Sequence, residues 1–113
     1  MKREEVIIAG FGGQGVLLIG KLVAEAALQA GCEVSWLPSY GPEMRGGTAN
    51  CTVVVSDRPI ASPVVDHPRG VVAMNRPSLD KFEASVEAGG FLLLNASMVD
   101  RAPTRTDVTV VSV

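Results

Sequence analysis

Two cysteines in 113 residues, Cys32 and Cys51, do not form a CxxC pair. That shortage argues against a zinc site or an iron–sulfur cluster held within this chain, since either needs several closely spaced ligands. In the reducing compartment expected for this protein, a disulfide between the two is not expected either. Basic charge is also lacking: the net charge is −2 and the isoelectric point is near 5.3, so no nucleic-acid-binding face is implied. No apolar run approaches the ~18 residues that span a bilayer, and no block of like charge suggests a membrane-binding tail. The opening MKREEVIIAGFGG sets acids directly before a four-residue apolar run. It does not read as a secretory signal, and a cytoplasmic location is expected. Histidine occurs once, as His67 beside Asp66. A neighbouring Asp can orient a general base, but no serine or cysteine nucleophile motif accompanies it, so a loop histidine is the simpler reading.

What remains is an ordinary globular mixture, 47% apolar and 19% charged, of a length that suits one domain. Residues 6–9 read as a short buried strand bounded by acids and glycine. A helix is expected over 15–30: the apolar positions Leu18, Leu22, Ala26 and Ala30 recur every four residues, and Gly31 supplies a stop. A second strand over 33–37 completes a strand–helix–strand unit of the right-handed kind. Residues 38–49, with two prolines and three glycines, read as a long loop. Strands follow at 50–55, 70–74, 91–94 and 107–113. Pro63 marks 60–65 as an edge or irregular piece. A helix is expected over 77–86, with Asn75 or Ser78 as its cap. The fold class is therefore α/β, a three-layer Rossmann-like open sheet, mostly parallel with an antiparallel edge. The chain reads as one domain over 1–113, incomplete at its C-terminal end because Val113 closes on an apolar strand.

The motif that carries chemistry is GFGGQGV. Gly10-x-Gly12-x-x-Gly15 has dinucleotide-fingerprint spacing and the right context, strand before and helix after. Gly10 would allow the tight turn, Gly12 the close approach of a phosphate, and Gly15 the close packing of the helix. Residues 35–40, where a nicotinamide site wants an acid, contain no acid and no arginine. No Gly-Lys-Ser/Thr follows, so the loop is not a P-loop. The bland reading is that the glycines serve only helix–strand packing. A second glycine-rich loop, Tyr40-Gly41-Pro42-Glu43-Met44-Arg45-Gly46-Gly47, follows the second strand and should lie beside the first at the carboxyl edge. Arg45 there suits a phosphate or carboxylate, against the alternative of a solvated arginine or one paired with Glu43. Trp36 and Tyr40 suit adenine stacking or, more simply, core or interface packing. Cys51 reads as a small core residue. Asn75-Arg76-Pro77-Ser78 is a second anion-binding candidate, and Asp80 and Glu83 read as a solvated helix face.

Four blocks, GFGGQGV, PSYGPEMRGG, VVVSDRPIASPVV and AMNRPSLDKF, follow in this order. Together they resemble the gamma subunit or domain of the 2-oxoacid:ferredoxin oxidoreductases, which act on pyruvate, 2-oxoglutarate, branched-chain 2-oxoacids or indolepyruvate. The resemblance covers residue 6 to about 97. It implies a supporting role in an enzyme that decarboxylates a 2-oxoacid on thiamine diphosphate and passes electrons through iron–sulfur clusters to ferredoxin. In members that use coenzyme A, the acyl group goes to that carrier. It places thiamine diphosphate, magnesium and the clusters on alpha and beta partners or a ferredoxin-like subunit, in agreement with the absence of cluster cysteines and of a GDG…NN stretch here. The gamma part contributes to coenzyme A binding in related enzymes. Gly10, Gly12, Gly13, Gln14, Gly15, Tyr40, Arg45 and Gly46 are the candidate contacts, with no catalytic residue and no metal ligand expected. Two alternatives stay open: a free-standing nucleotide-dependent oxidoreductase, and a purely structural interface domain.

Overall fold

The computed structural model describes residues 3–11, 15–39, 48–60 and 65–113. Six strands form one sheet: β1 (Glu4–Phe11), β2 (Glu33–Ser39), β3 (Thr48–Ser56), β4 (Gly70–Ala73), β5 (Phe91–Leu94) and β6 (Thr109–Ser112). Two helices, α1 (Val16–Gln29) and α2 (Arg76–Phe82), and a single 3-10 turn (Glu83–Ser85) complete the described elements. The spatial order is β2-β3-β1-β4-β5-β6. β1, β4, β5 and β6 pair in parallel, and β3 is antiparallel to both of its neighbours. The open, mostly parallel α/β sheet read from the sequence is therefore present. The antiparallel strand, however, lies inside the sheet and not at its edge. It splits the β1–α1–β2 unit, so β1 and β2 run the same way with β3 between them. Ile60 lies outside any strand, and the possible edge piece after it falls largely on 61–64, outside the described residues.

Two apolar clusters lie on opposite faces. Ile8, Val16, Ala24, Cys51 and Val53 fill the face under α1. Ile7, Val71, Ala73, Leu79, Val86, Leu92, Leu94 and Val99 fill the face under α2. Adjacent Ile7 and Ile8 fall in different clusters because successive strand side chains alternate.

α1 corrects one expectation. Its buried residues are Val16, Gly20 and Ala24, whereas Leu18 and Leu22 are more than half exposed. The helix buries this stripe because the Cys51 and Trp36 side chains stand under Gly20 and leave no room for a larger residue there. A Cβ on Gly20 would collide with the Cys51 sulfur and the Trp36 indole. The C-terminus stops as expected: Gly31 takes φ 87°, and Cys32 N–H donates to the Ala27 carbonyl at 3.0 Å. Asn75 caps α2, its Oδ1 accepting from Ser78 N–H at 2.9 Å.

Candidate functional site

In an open α/β sheet, ligands bind beyond the carboxyl ends of the strands, where successive connections leave in opposite directions. Here that point lies between β1 and β4. From β1 the chain crosses through α1 toward β2, and β4 lies on the other side of β1. Below the crevice, Met74 N–H donates to the Ala9 carbonyl at 2.8 Å. Phe11 and Thr48 are register partners, as are Gly10 and Ala49. These pairings bring together the strand end that leads into 12–14 and the strand start that 40–47 leads to. The anchors of the two glycine-rich loops are thus neighbours. Gly12, Gly13, Gln14, Tyr40, Arg45 and Gly46 themselves lie outside the described residues.

Two of the glycines have functions that differ from the fingerprint reading. Gly10 is an extended, buried residue of β1, so the turn begins after Phe11. Gly15 is the N-cap of α1 in the left-handed region, φ 74° and ψ 20°. Among the described residues, nothing lies within 4 Å of where its Cβ would be. Its requirement is conformational, and close packing of the helix falls to Gly20, which the fingerprint does not include. A glycine one turn into the helix, four before Ala24, was the available signal.

The start of α1 is electrostatically open. Among the described residues no side chain caps it, and its first turn holds no acid. The first N–H groups of a helix have no intrahelical acceptor and carry the positive end of the dipole, so this terminus suits an anion. The second anion-binding candidate is used internally. The Asn75 oxygen is held by Ser78, and Arg76 pairs with Asp100 at 3.3 Å and Asp80 at 3.8 Å.

The dinucleotide reading meets a second obstacle beyond its missing acid. Strands lie about 4.8 Å apart. With β3 inserted, the end of β2 stands roughly 10 Å from β1, too far for the usual ribose contact beside the glycine turn. Trp36 is 37% exposed, and its indole edge lies against Gly20 beside the Cys51 sulfur, so part of it serves packing beneath α1. Cys51 is fully buried, and burial pushes its thiol up, only partly offset by the Trp36 indole and the Gly20 backbone. It is a core residue, as read from the sequence. His67 sits exposed on a bend. Among the described residues, no cluster of three or more His, Cys, Asp or Glu is arranged to hold a metal.

Glu83 departs from the solvated face expected of it. It is 8% exposed. Its carboxylate accepts from Arg101 Nη2 at 2.9 Å and from Thr104 N–H at 2.6 Å, while Arg101 also reaches Asp80 at 2.7 Å. Burial alone would raise its pKa, but the hydrogen bonds from Arg101 and Thr104, with the charge of Arg101, hold the carboxyl below its usual range. This cluster fastens the β5–β6 connection to the end of α2 and lies outside the crevice.

The sequence matches the family model for pyruvate ferredoxin/flavodoxin oxidoreductase over residues 5–113. The chain belongs to this family. The gamma-type resemblance carried by the four blocks is thereby borne out. The chain is 52% identical over 99 residues to ketoisovalerate oxidoreductase subunit VorA of Methanothermobacter marburgensis, covering 88% of this chain and 21% of that protein. It superposes on the gamma subunit of the keto/oxoacid ferredoxin oxidoreductase of Geobacter sulfurreducens with a TM-score of 0.86 and 31% identity, over 99% of this chain and 61% of that one. It shares its fold, at TM-score 0.84 and 23% identity, with 2-oxoglutarate:ferredoxin oxidoreductase from Magnetococcus marinus, over 97% of this chain and 19% of that one. That enzyme's structure holds 2-oxoglutarate, coenzyme A and succinyl-CoA. The family member described here therefore spans only part of the relatives it matches. Among its described residues, no helix is long and apolar enough to cross a membrane.

Proposed function

We propose that this chain is the gamma-type part of a thiamine-diphosphate-dependent 2-oxoacid:ferredoxin oxidoreductase and that its crevice at the end of β1 receives the phosphates of coenzyme A. The observation that carries the reading is the pairing of Phe11 with Thr48, which sets the anchors of both glycine-rich loops beside the start of α1, where no side chain among the described residues serves as a cap. The backbone N–H groups from Gly15 onward hold an anionic phosphate, and Arg45 supplies a second, charged donor from the neighbouring loop. Gly12, Gly13, Gln14, Tyr40 and Gly46 are the further contacts proposed from the sequence. When bound, coenzyme A supplies the thiol that accepts the acyl group.

The rest of the chemistry belongs to partners. Two cysteines do not hold an iron–sulfur cluster. The family resemblance implies that thiamine diphosphate, magnesium and the clusters lie on alpha and beta subunits, or on a ferredoxin-like subunit, with ferredoxin as the acceptor, and the cytoplasm is the expected location. The chain alone is inactive. The bound coenzyme A of the Magnetococcus enzyme supports the choice of ligand.

The test uses the complete complex, assayed by viologen reduction with a panel of 2-oxoacids. Arg45→Ala is expected to raise the KM for coenzyme A about tenfold, or ~1.4 kcal/mol, with the KM for the 2-oxoacid unchanged. An unchanged KM for coenzyme A would favour the purely structural reading. Tight NAD or NADP binding by the isolated chain in a calorimeter would instead favour a free-standing nucleotide-dependent enzyme.

A further inference from the structure

Asn50 stands apart from the other buried polar side chains. It lies in β3, inside the run TANCTVVVS, and is 9% exposed. Asn75, Ser56 and Glu83, also buried, each accept a hydrogen bond from within the chain. Among the described residues, the Asn50 carboxamide makes none. An unpaired amide taken out of water disfavours folding, and a β-branched residue would suit this strand better. Yet no polar side-chain atom among the described residues is both sealed from solvent and unpaired. The Asn50 amide is therefore nearly covered but open at its polar end, where it can pair with a bound group.

Asn50 lies beside the crevice. Cys51 packs under α1, so Asn50, one residue earlier, points to the other face of the sheet. Its register partner is Ala9, which pairs in turn with Ala73, the last residue of β4. Next along β3 on the same face is Thr52, the register partner of Leu37, which is 49% exposed. Leu37 and Asn50 are thus diagonal neighbours across β2 and β3, within reach of one ligand. Asparagine presents a donor and an acceptor together, so another amide satisfies both at once. The pantetheine arm of coenzyme A consists of amides joined by aliphatic carbons. We infer that Asn50 hydrogen-bonds an amide of that arm, with Leu37 against its aliphatic carbons. The inference rests on the coenzyme A reading and extends it. Phosphates at the start of α1 sit on one face of the sheet, and the arm crosses the carboxyl edge to the other. Neither Asn50 nor Leu37 belongs to a glycine-rich loop.

The test uses the complete complex, assayed by viologen reduction with coenzyme A as acceptor. The adenosine bisphosphate part of coenzyme A, which has phosphates but no arm, serves as a competitive inhibitor. Asn50→Leu is expected to raise the KM for coenzyme A about tenfold and to leave the inhibition constant and the KM for the 2-oxoacid unchanged. Arg45→Ala should weaken both coenzyme A and the inhibitor. Urea unfolding of this chain controls for folding. Asn50→Leu should be at least as stable as wild type, because an apolar group replaces an unpaired amide. The inference is overturned if Asn50→Leu leaves the KM for coenzyme A unchanged, weakens the inhibitor as much as coenzyme A, or destabilises the chain. If Arg45→Ala has its effect and Asn50→Leu has none, this inference alone fails. If neither has an effect, the coenzyme A reading fails with it.

Discussion

The two halves of this sheet are held by different physics. The β1–β2–β3 half is gripped by α1 through small residues: Gly20 leaves room for the Cys51 sulfur and the Trp36 indole, and Ala24 continues the contact. The β4–β5–β6 half has a conventional apolar core on the α2 face, a charged clasp around Glu83, and half-buried Val72 and Leu93 on the other face. The first half is closed by a helix, and the second runs out to β6, which is exposed on both faces. The candidate site sits at the boundary between them, at the carboxyl ends of β1 and β4. A ligand or partner bound there touches both.

Adjacent leucines of β5 give the largest contrast. Leu92→Ala removes a fully buried side chain and should cost about 2–5 kcal/mol, read from urea unfolding. Leu93→Ala, half-buried on the other face, should cost less than Leu92→Ala, because less area is removed from water. Equal losses would mean that both faces of β5 are packed alike. Next comes the grip of α1. Gly20→Val should cost about 1–3 kcal/mol by overpacking against Cys51 and Trp36. A neutral result would show that α1 rides higher on the sheet than described.

Those two sites also show what the sequence made legible. The strand and helix positions follow from local periodicity, and the Asn75 cap and the Gly31 stop follow from local chemistry. The insertion of β3 between β1 and β2 does not, because its apolar, β-branched run suits a parallel or an antiparallel partner equally well and long-range pairing decides. α1 is apolar on two sides, so periodicity favoured the larger Leu18 and Leu22. Only the depth of the sheet surface under Gly20 selects the smaller stripe. Glu83 looked solvated because its partners, Arg101 and Thr104, are distant in sequence. The crevice was legible as two glycine-rich loops, while the division of labour between Gly15 and Gly20 needed the packed helix.

The smallest effect tests the clasp. Glu83→Gln should cost about 1–2 kcal/mol at neutral pH by weakening charge-assisted hydrogen bonds. The folded-state pKa of Glu83 is lowered from 4.5. Its contribution is therefore fully present above about pH 4.5 and is lost as pH falls through the lower folded value. The stability gap between wild type and Glu83→Gln should accordingly close in acid. A gap that persists at low pH would show that the loss is one of packing.

The central claim is that coenzyme A reaches this chain at the end of β1. Hydrogen exchange on the complete complex, with and without coenzyme A, tests it most directly. The account predicts added protection confined, within this chain, to residues 12–18 and 40–48. Protection on the partner subunits alone, with both segments of this chain unchanged, would contradict it.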